Sequence, residues 1–200
     1  MTFIAGLLMW FSNYNHIDVS VFPNAQMLYP AAGVALAFLI TKKDDKELPK
    51  PFFLLVLITT GILVLLSVLS ICMPDQLIIV AGNAVSLWLL AAQYVILLGS
   101  LVAWVMLLAV GKKKRAAYGL RGANAKKSTC CIVGFILLYV LRTIFAYVIT
   151  GEFSTFTEIL ARPTTWIAFA SLAINFWLVF LAFFGEEYGW RYFLQPLMQR

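Results

Sequence analysis

Glu186 and Glu187 stand side by side at the end of a long apolar run, and Arg191 follows one helical turn later. Charged side chains at the margin of a membrane span are costly, so they are seldom there without a use. If the last helix continues past Gly185, residues 187 and 191 are i,i+4 neighbours and can form a local ion pair. Glu186 then lies about 100° around the helix from Glu187 and faces elsewhere. One carboxylate is held by an arginine and the other is free to act. A free carboxyl in a partly desolvated site, next to a second charge, is suited to be a general base. The bland alternative is a helix that leaves the membrane in charged residues and carries a common Glu/Arg pair. Gly185 and Gly189 also form a small-xxx-small pair, the pattern that lets a second helix approach closely.

The elements that must position these residues are membrane spans. The chain has 200 residues, 62% hydrophobic and only 12% charged, with a mean hydropathy of +0.91. A soluble domain carries about 25% charge. Several continuous apolar runs reach the roughly 20 residues needed to cross a bilayer. They lack the period-2 alternation of a membrane barrel. The fold expected is all-α: a polytopic transmembrane helical bundle of about five full spans plus a short N-terminal apolar segment. The spans are read at about 21–41, 52–72, 86–110, 130–150 and 164–184, in a single membrane-embedded domain over 1–200. Pro30 suits a first helical turn. Gly82-Asn83 divides a short interfacial piece from the third span, and 151–163 reads as a turn-rich link.

The net charge of +6 is not a nucleic-acid signal. Eleven of the fifteen Lys and Arg residues fall in two short loops, 42–50 and 112–127. That is the positive-inside pattern of a multi-pass plasma-membrane protein, with loops 42–50 and 111–129 cytoplasmic. The same residues can meet anionic lipid headgroups. Two spans separate the loops, so both lie on one side. The last run then travels inward, its 21 residues rising about 31 Å as a helix. Glu186 and Glu187 are expected near the cytoplasmic boundary, with Arg191 and Arg200 on the same side.

Cys72, Cys130 and Cys131 have no metal-ligand spacing with each other or with a histidine. They read as small apolar residues; Cys130-Cys131, after a lysine-rich loop, also permits palmitoylation. His16, the only histidine, reads as an exposed loop residue. Arg142 falls in the middle of an apolar run, where a cation needs a partner or water. It is a candidate accessory residue, stabilising a glutamate or contacting a substrate carboxylate; snorkelling or a pair elsewhere in the bundle is the other reading. Asn83, Gln93 and Asn175 are expected to hydrogen-bond between helices. Phe52-Phe53, Trp166 and Trp190-Tyr192 fit interfacial aromatic belts.

The segment Phe-Gly-Glu-Glu-Tyr-Gly-Trp-Arg-Tyr-Phe-Leu-Gln-Pro-Leu, residues 184–197, strongly resembles the first signature of the CPBP family, the CaaX-protease and bacteriocin-processing (Abi) membrane enzymes. That signature is E-E-x-x-x-R, commonly with Gly-Trp before the arginine, here Glu186, Glu187, Gly189, Trp190 and Arg191. The resemblance implies an intramembrane endopeptidase acting on a membrane-associated protein or peptide. By carry-over Glu186 activates water, and Glu187 and Arg191 position the site or the substrate. The family's metalloprotease label leaves a divalent metal such as zinc open as a cofactor. The family completes its site with histidines in later F-x-x-x-H and H-x-x-x-N/D motifs. His16 is in neither, since Ser12 and Ser20 stand where those motifs need Phe and Asn or Asp. The histidines are expected beyond Arg200. Two other classes stay open, a non-enzymatic membrane scaffold or bacteriocin self-immunity protein, and a small transporter subunit. Neither the substrate nor the oligomeric state follows from the sequence. Residues 1–200 alone are expected to cleave nothing; peptidase activity from that stretch, lost on Glu186→Gln, would contradict this.

Overall fold

The computed structural model describes residues 2–80, 82–122 and 124–199; Arg200 lies outside them. The chain is an all-α membrane-type bundle. Four helical segments are long and apolar enough to span a bilayer: Phe22–Thr41, Lys50–Cys72, Leu87–Ala109 and Ala125–Ile149. The broken run from Pro163 to Met198 makes a fifth if its two pieces are one span. The helices are α1 (Thr2–Tyr14), α2 (Phe22–Gln26), α3 (Tyr29–Thr41), α4 (Lys50–Cys72), α5 (Leu87–Ala109), α6 (Lys112–Ala117), α7 (Ala125–Ile149), α8 (Phe153–Ala161), α9 (Pro163–Leu178), α10 (Phe180–Glu187) and α11 (Gln195–Met198). A π-helix, Tyr188–Leu194, joins α10 to α11. Prolines open α3 and α4 in their first turn, where the missing N–H has no intrahelical partner to lose.

Two compact units emerge: residues up to Leu120 together with those from Trp177 onward, and Arg121–Phe176. In the second unit, α8 occupies what the sequence reads as a turn-rich link, and Glu158 pairs with Arg162 at 2.5 Å across one helical turn.

The first unit has a core of α2, α3, α4, α5 and α10 around Phe22, Leu28, Phe52, Phe53, Val56, Leu63 and Leu181, all nearly inaccessible. Phe52 and Phe53 therefore do not belong to an interfacial belt. They open α4 on its inward face, and Phe53 meets Phe38 edge-on at 5.6 Å. Before α5 the interfacial piece is an antiparallel hairpin, β1 (Leu77–Val80) with β2 (Asn83–Ser86), pairing Leu77 with Ser86 and Val80 with Asn83.

The last run is not one straight helix. It is interrupted at Val179 (φ −106°, ψ 20°), and α10 starts afresh at Phe180. A new helix starts with N–H groups that lack intrahelical partners. The buried Ser100 hydroxyl of α5 answers one of them, accepting the Leu181 N–H at 3.0 Å.

Gly185 and Gly189 carry the contact of this helix with α3 and the residues just before it. A methyl group at Gly185 would come to 2.5 Å of the Met27 carbonyl oxygen and 2.8 Å of Leu28 Cα, and one at Gly189 would overlap Pro30. The small-xxx-small pattern thus brings backbone against backbone. Gly33, on the same α3, has open space at its missing Cβ. Gly189→Ala should lower stability by about 1–3 kcal/mol, whereas Gly33→Ala should leave it unchanged or slightly raised. Thermal unfolding of the two purified variants in one detergent measures the difference; equal midpoints would refute the packing.

Candidate active site

Helix α10 and the π-helix give the Glu186–Arg191 stretch three working faces. The glycine face lies on α3. An aromatic face, Phe184, Tyr188 and Tyr192, forms a stack with ring centroids 4.7 and 4.9 Å apart. It runs along Phe52 and Phe53 of α4. The charged residues occupy what remains. Arg191 Nε reaches Glu187 Oε2 at 2.5 Å. Both side chains are more than half exposed, so in water such a pair contributes only about 0–1 kcal/mol. It orients the two groups more than it holds the fold.

Glu186 turns the other way. It lines a cavity of about 940 Å³ formed by α2, α3, α4 and the π-helix. Among the described lining residues it is the one formally charged side chain; Gln26, Tyr29 and Thr60 supply most other polar atoms, and the walls include Pro23, Met27, Leu57, Val64 and Phe193. Gln26 and Thr60 spend donors elsewhere, the amide on Met9 Sδ and the hydroxyl on the Val56 carbonyl oxygen. The sequence split between a held and a free glutamate is thus present in the geometry.

Leu57 and Thr60 share the cavity with Glu186 and lie seven and ten residues into α4 from Lys50, or about 10–15 Å along its axis. Glu186 itself is exposed, on the helix that starts afresh after the break at Val179.

The lower end of the site is tied to the basic loops. Tyr188, buried, donates its hydroxyl proton to the Tyr118 carbonyl oxygen at 2.7 Å. Tyr118 in turn donates to Asp45 Oδ2 at 2.5 Å, and Lys113 pairs with Glu47 at 2.6 Å. Loops 42–50 and 111–120 therefore meet on one end of the first unit, as the lysine pattern requires. Gly119, at φ +65°, makes this possible: a Cβ there would collide with the Tyr192 ring. Sequence reasoning did not find Tyr118, Tyr188 or Asp45. The signal present was a tyrosine and a left-handed-prone glycine closing a basic loop.

Other sequence candidates fall outside the site. Arg142 belongs to the second unit, exposed on α7 and without an ion pair among the described residues. His16 is exposed in the α1–α2 loop at φ +58°. Asn83, Gln93 and Asn175 are exposed, and the interhelical hydrogen bonds expected of them are not found among the described residues. The three cysteines are free and exposed. Among the described residues no three His, Cys, Asp or Glu side chains gather to hold a metal. Glu186 and Glu187 diverge, so these residues do not by themselves fit one ion. No protein-family model, curated protein or solved structure matches the chain.

The Tyr118–Asp45 bond gives the fold a pH signature. The Tyr118 hydroxyl, with the Glu47 backbone N–H, holds Asp45 below its ordinary pKa, so its stabilisation is present at neutral pH and fades as pH falls through the lowered value. Burial first, then the Asp45 hydrogen bond, pushes Tyr118 up to about 12. Its stabilisation is therefore complete below the unfolded value of 10 and is lost as pH rises through about 12. Tyr118→Phe should flatten both limbs of a plot of unfolding temperature against pH. A variant whose acid limb matches wild type would show that the bond does not form in solution.

Proposed function

We propose that the chain carries the water-activating glutamate of an intramembrane endopeptidase of the CPBP type. The observation that carries this reading is the division of labour in the pair: Glu187 is held by Arg191 while Glu186 faces a cavity with otherwise uncharged walls. In the proposed reaction Glu186 takes a proton from water as the water oxygen adds to the scissile carbonyl. The C–N bond then breaks, and the proton passes to the leaving nitrogen. Arg191 keeps Glu187 from competing for the same water. The resemblance implies histidines from elsewhere that complete the site and steady the oxyanion. The cavity offers room for an extended apolar peptide segment beside the carboxylate, which fits a membrane-associated substrate. Its basic-loop end faces the cytoplasm of a cell membrane in this reading, on the strength of the lysine and arginine bias.

Glu186→Gln keeps size and hydrogen-bonding capacity while removing the base. In cells making the protein it should reduce cleavage by about 10²–10⁴-fold. Glu187→Gln should do less, since it disturbs position and not the proton acceptor. Comparing membrane proteomes of wild-type and variant cells reads both. Processed termini that persist unchanged with Glu186→Gln would rule out its role as base.

A further inference from the structure

The cavity beside Glu186 is chemically one-sided. Glu186 brings a negative charge, and no Lys, Arg or His stands among the described lining residues. The amide and hydroxyl on the wall are turned toward accepting. Gln26 gives an amide N–H to Met9 Sδ, and its carbonyl oxygen has no partner among the described residues. The Thr60 hydroxyl donates to the Val56 carbonyl oxygen at 2.7 Å, which leaves its oxygen as an acceptor only. Tyr29, Trp190 and Phe193 add aromatic rings to the wall, and the face of such a ring attracts a cation.

The cavity is also elongated and apolar away from the carboxylate. Gly185 rests on Met27 and Leu28 and Gly189 on Pro30, which sets Glu186 beside the start of α3. The Phe193 ring meets Phe38 edge-on at 5.8 Å, so the π-helix follows α3 from Pro30 for about two turns. Gly33 and Leu36, between those points, line the cavity and are exposed. Gly33 has empty space where a Cβ would stand. An alkyl chain can lie along this stretch and pass out over the apolar surface of α3.

These features select one kind of occupant. An anion is repelled by Glu186, and a plain hydrocarbon leaves the carboxylate beside an apolar group with nothing to compensate it. A primary ammonium supplies the opposite charge and three N–H donors to a wall of acceptors. We propose that the cavity is a binding site for an amphiphile with a primary ammonium head and a single alkyl chain. The ammonium pairs with Glu186, and the chain lies along Gly33 and Leu36. This claim goes beyond the peptidase reading and does not depend on it. Where that reading holds, the ammonium takes the carboxylate that activates water, and the amphiphile blocks cleavage.

Binding of decylammonium, decanol and decyl sulfate to the purified protein in one uncharged detergent tests the site, with calorimetry as the readout and no cleavage required. Decylammonium should bind about tenfold more tightly than decanol, and decyl sulfate more weakly than either. Glu186→Gln should abolish the ammonium advantage and leave decanol binding as in the wild type. Glu187→Gln, which removes the same charge one residue away and off the cavity wall, should keep the advantage. Gly33→Leu should weaken decylammonium and decanol alike by filling the path of the chain. Decylammonium binding no more tightly than decanol, or equal loss from Glu186→Gln and Glu187→Gln, overturns the proposal. If Glu186→Gln does not fold, Gly33→Leu decides: unchanged binding of both probes overturns the site.

Discussion

The close approach of Gly185 and Gly189 to Met27, Leu28 and Pro30 is the constraint on which the site depends. Lipid tails are as apolar as leucine, so burying apolar surface does little to join helices inside a bilayer. Close backbone packing must do it, and that needs positions without side chains. Once this face is fixed on α3, the remaining geometry follows. Residue 186, next to the first glycine, opens into the cavity beside α4. Residue 187 falls one step further round, within reach of Arg191. The Phe184–Tyr188–Tyr192 row is left to pack on α4 and the basic loop.

The helix break serves the same end. The helix that starts at Phe180 packs against Ser100 and Phe52. The restart leaves polar N–H groups in an apolar setting, and the Ser100 hydroxyl satisfies one. The change to π-helical winding over Tyr188–Leu194, confirmed by the Gln195 N–H to Trp190 C=O bond, occurs where Gly189 meets Pro30. Such winding often accompanies functional positions in helices.

Much of this was legible in the sequence, and the residues say why. Apolar runs gave the first four spans within a few residues because continuous hydropathy is a one-dimensional signal; the fifth, read as 164–184, is a broken run from Pro163 to Met198. The Glu187–Arg191 pair and the glycine pair were legible because i,i+4 spacing is fixed by the helix itself. The break at Val179 was not, since neither proline nor glycine marks it and its support, Ser100, is far away in sequence. The hairpin carried a weaker signal: Leu-Ile-Ile-Val followed by Gly82-Asn83 is β-branched and turn-bearing, but its hydropathy merges with the next helix. Phe52-Phe53 was misplaced because an aromatic pair at a span's start looks alike whether it faces lipid or core. Tyr118 could not be assigned a role, because its partners Asp45 and Tyr188 come from two distant segments.

The weights of the interactions order the parts of the site. The Glu187–Arg191 pair is mostly exposed, so its attraction is screened and cannot by itself fix where the helix sits. The glycine contact and the Tyr188–Tyr118 bond are buried, and a buried group displaced from its partner loses its full compensation. Position is therefore set by packing and by the tyrosine tie, and the ion pair acts afterwards on a helix already in place. Glu186 then faces the cavity with no ion pair among the described residues. A carboxylate that also had to anchor its helix would be committed to that anchor. Separating anchoring from charge leaves Glu186 free to respond to whatever occupies the cavity.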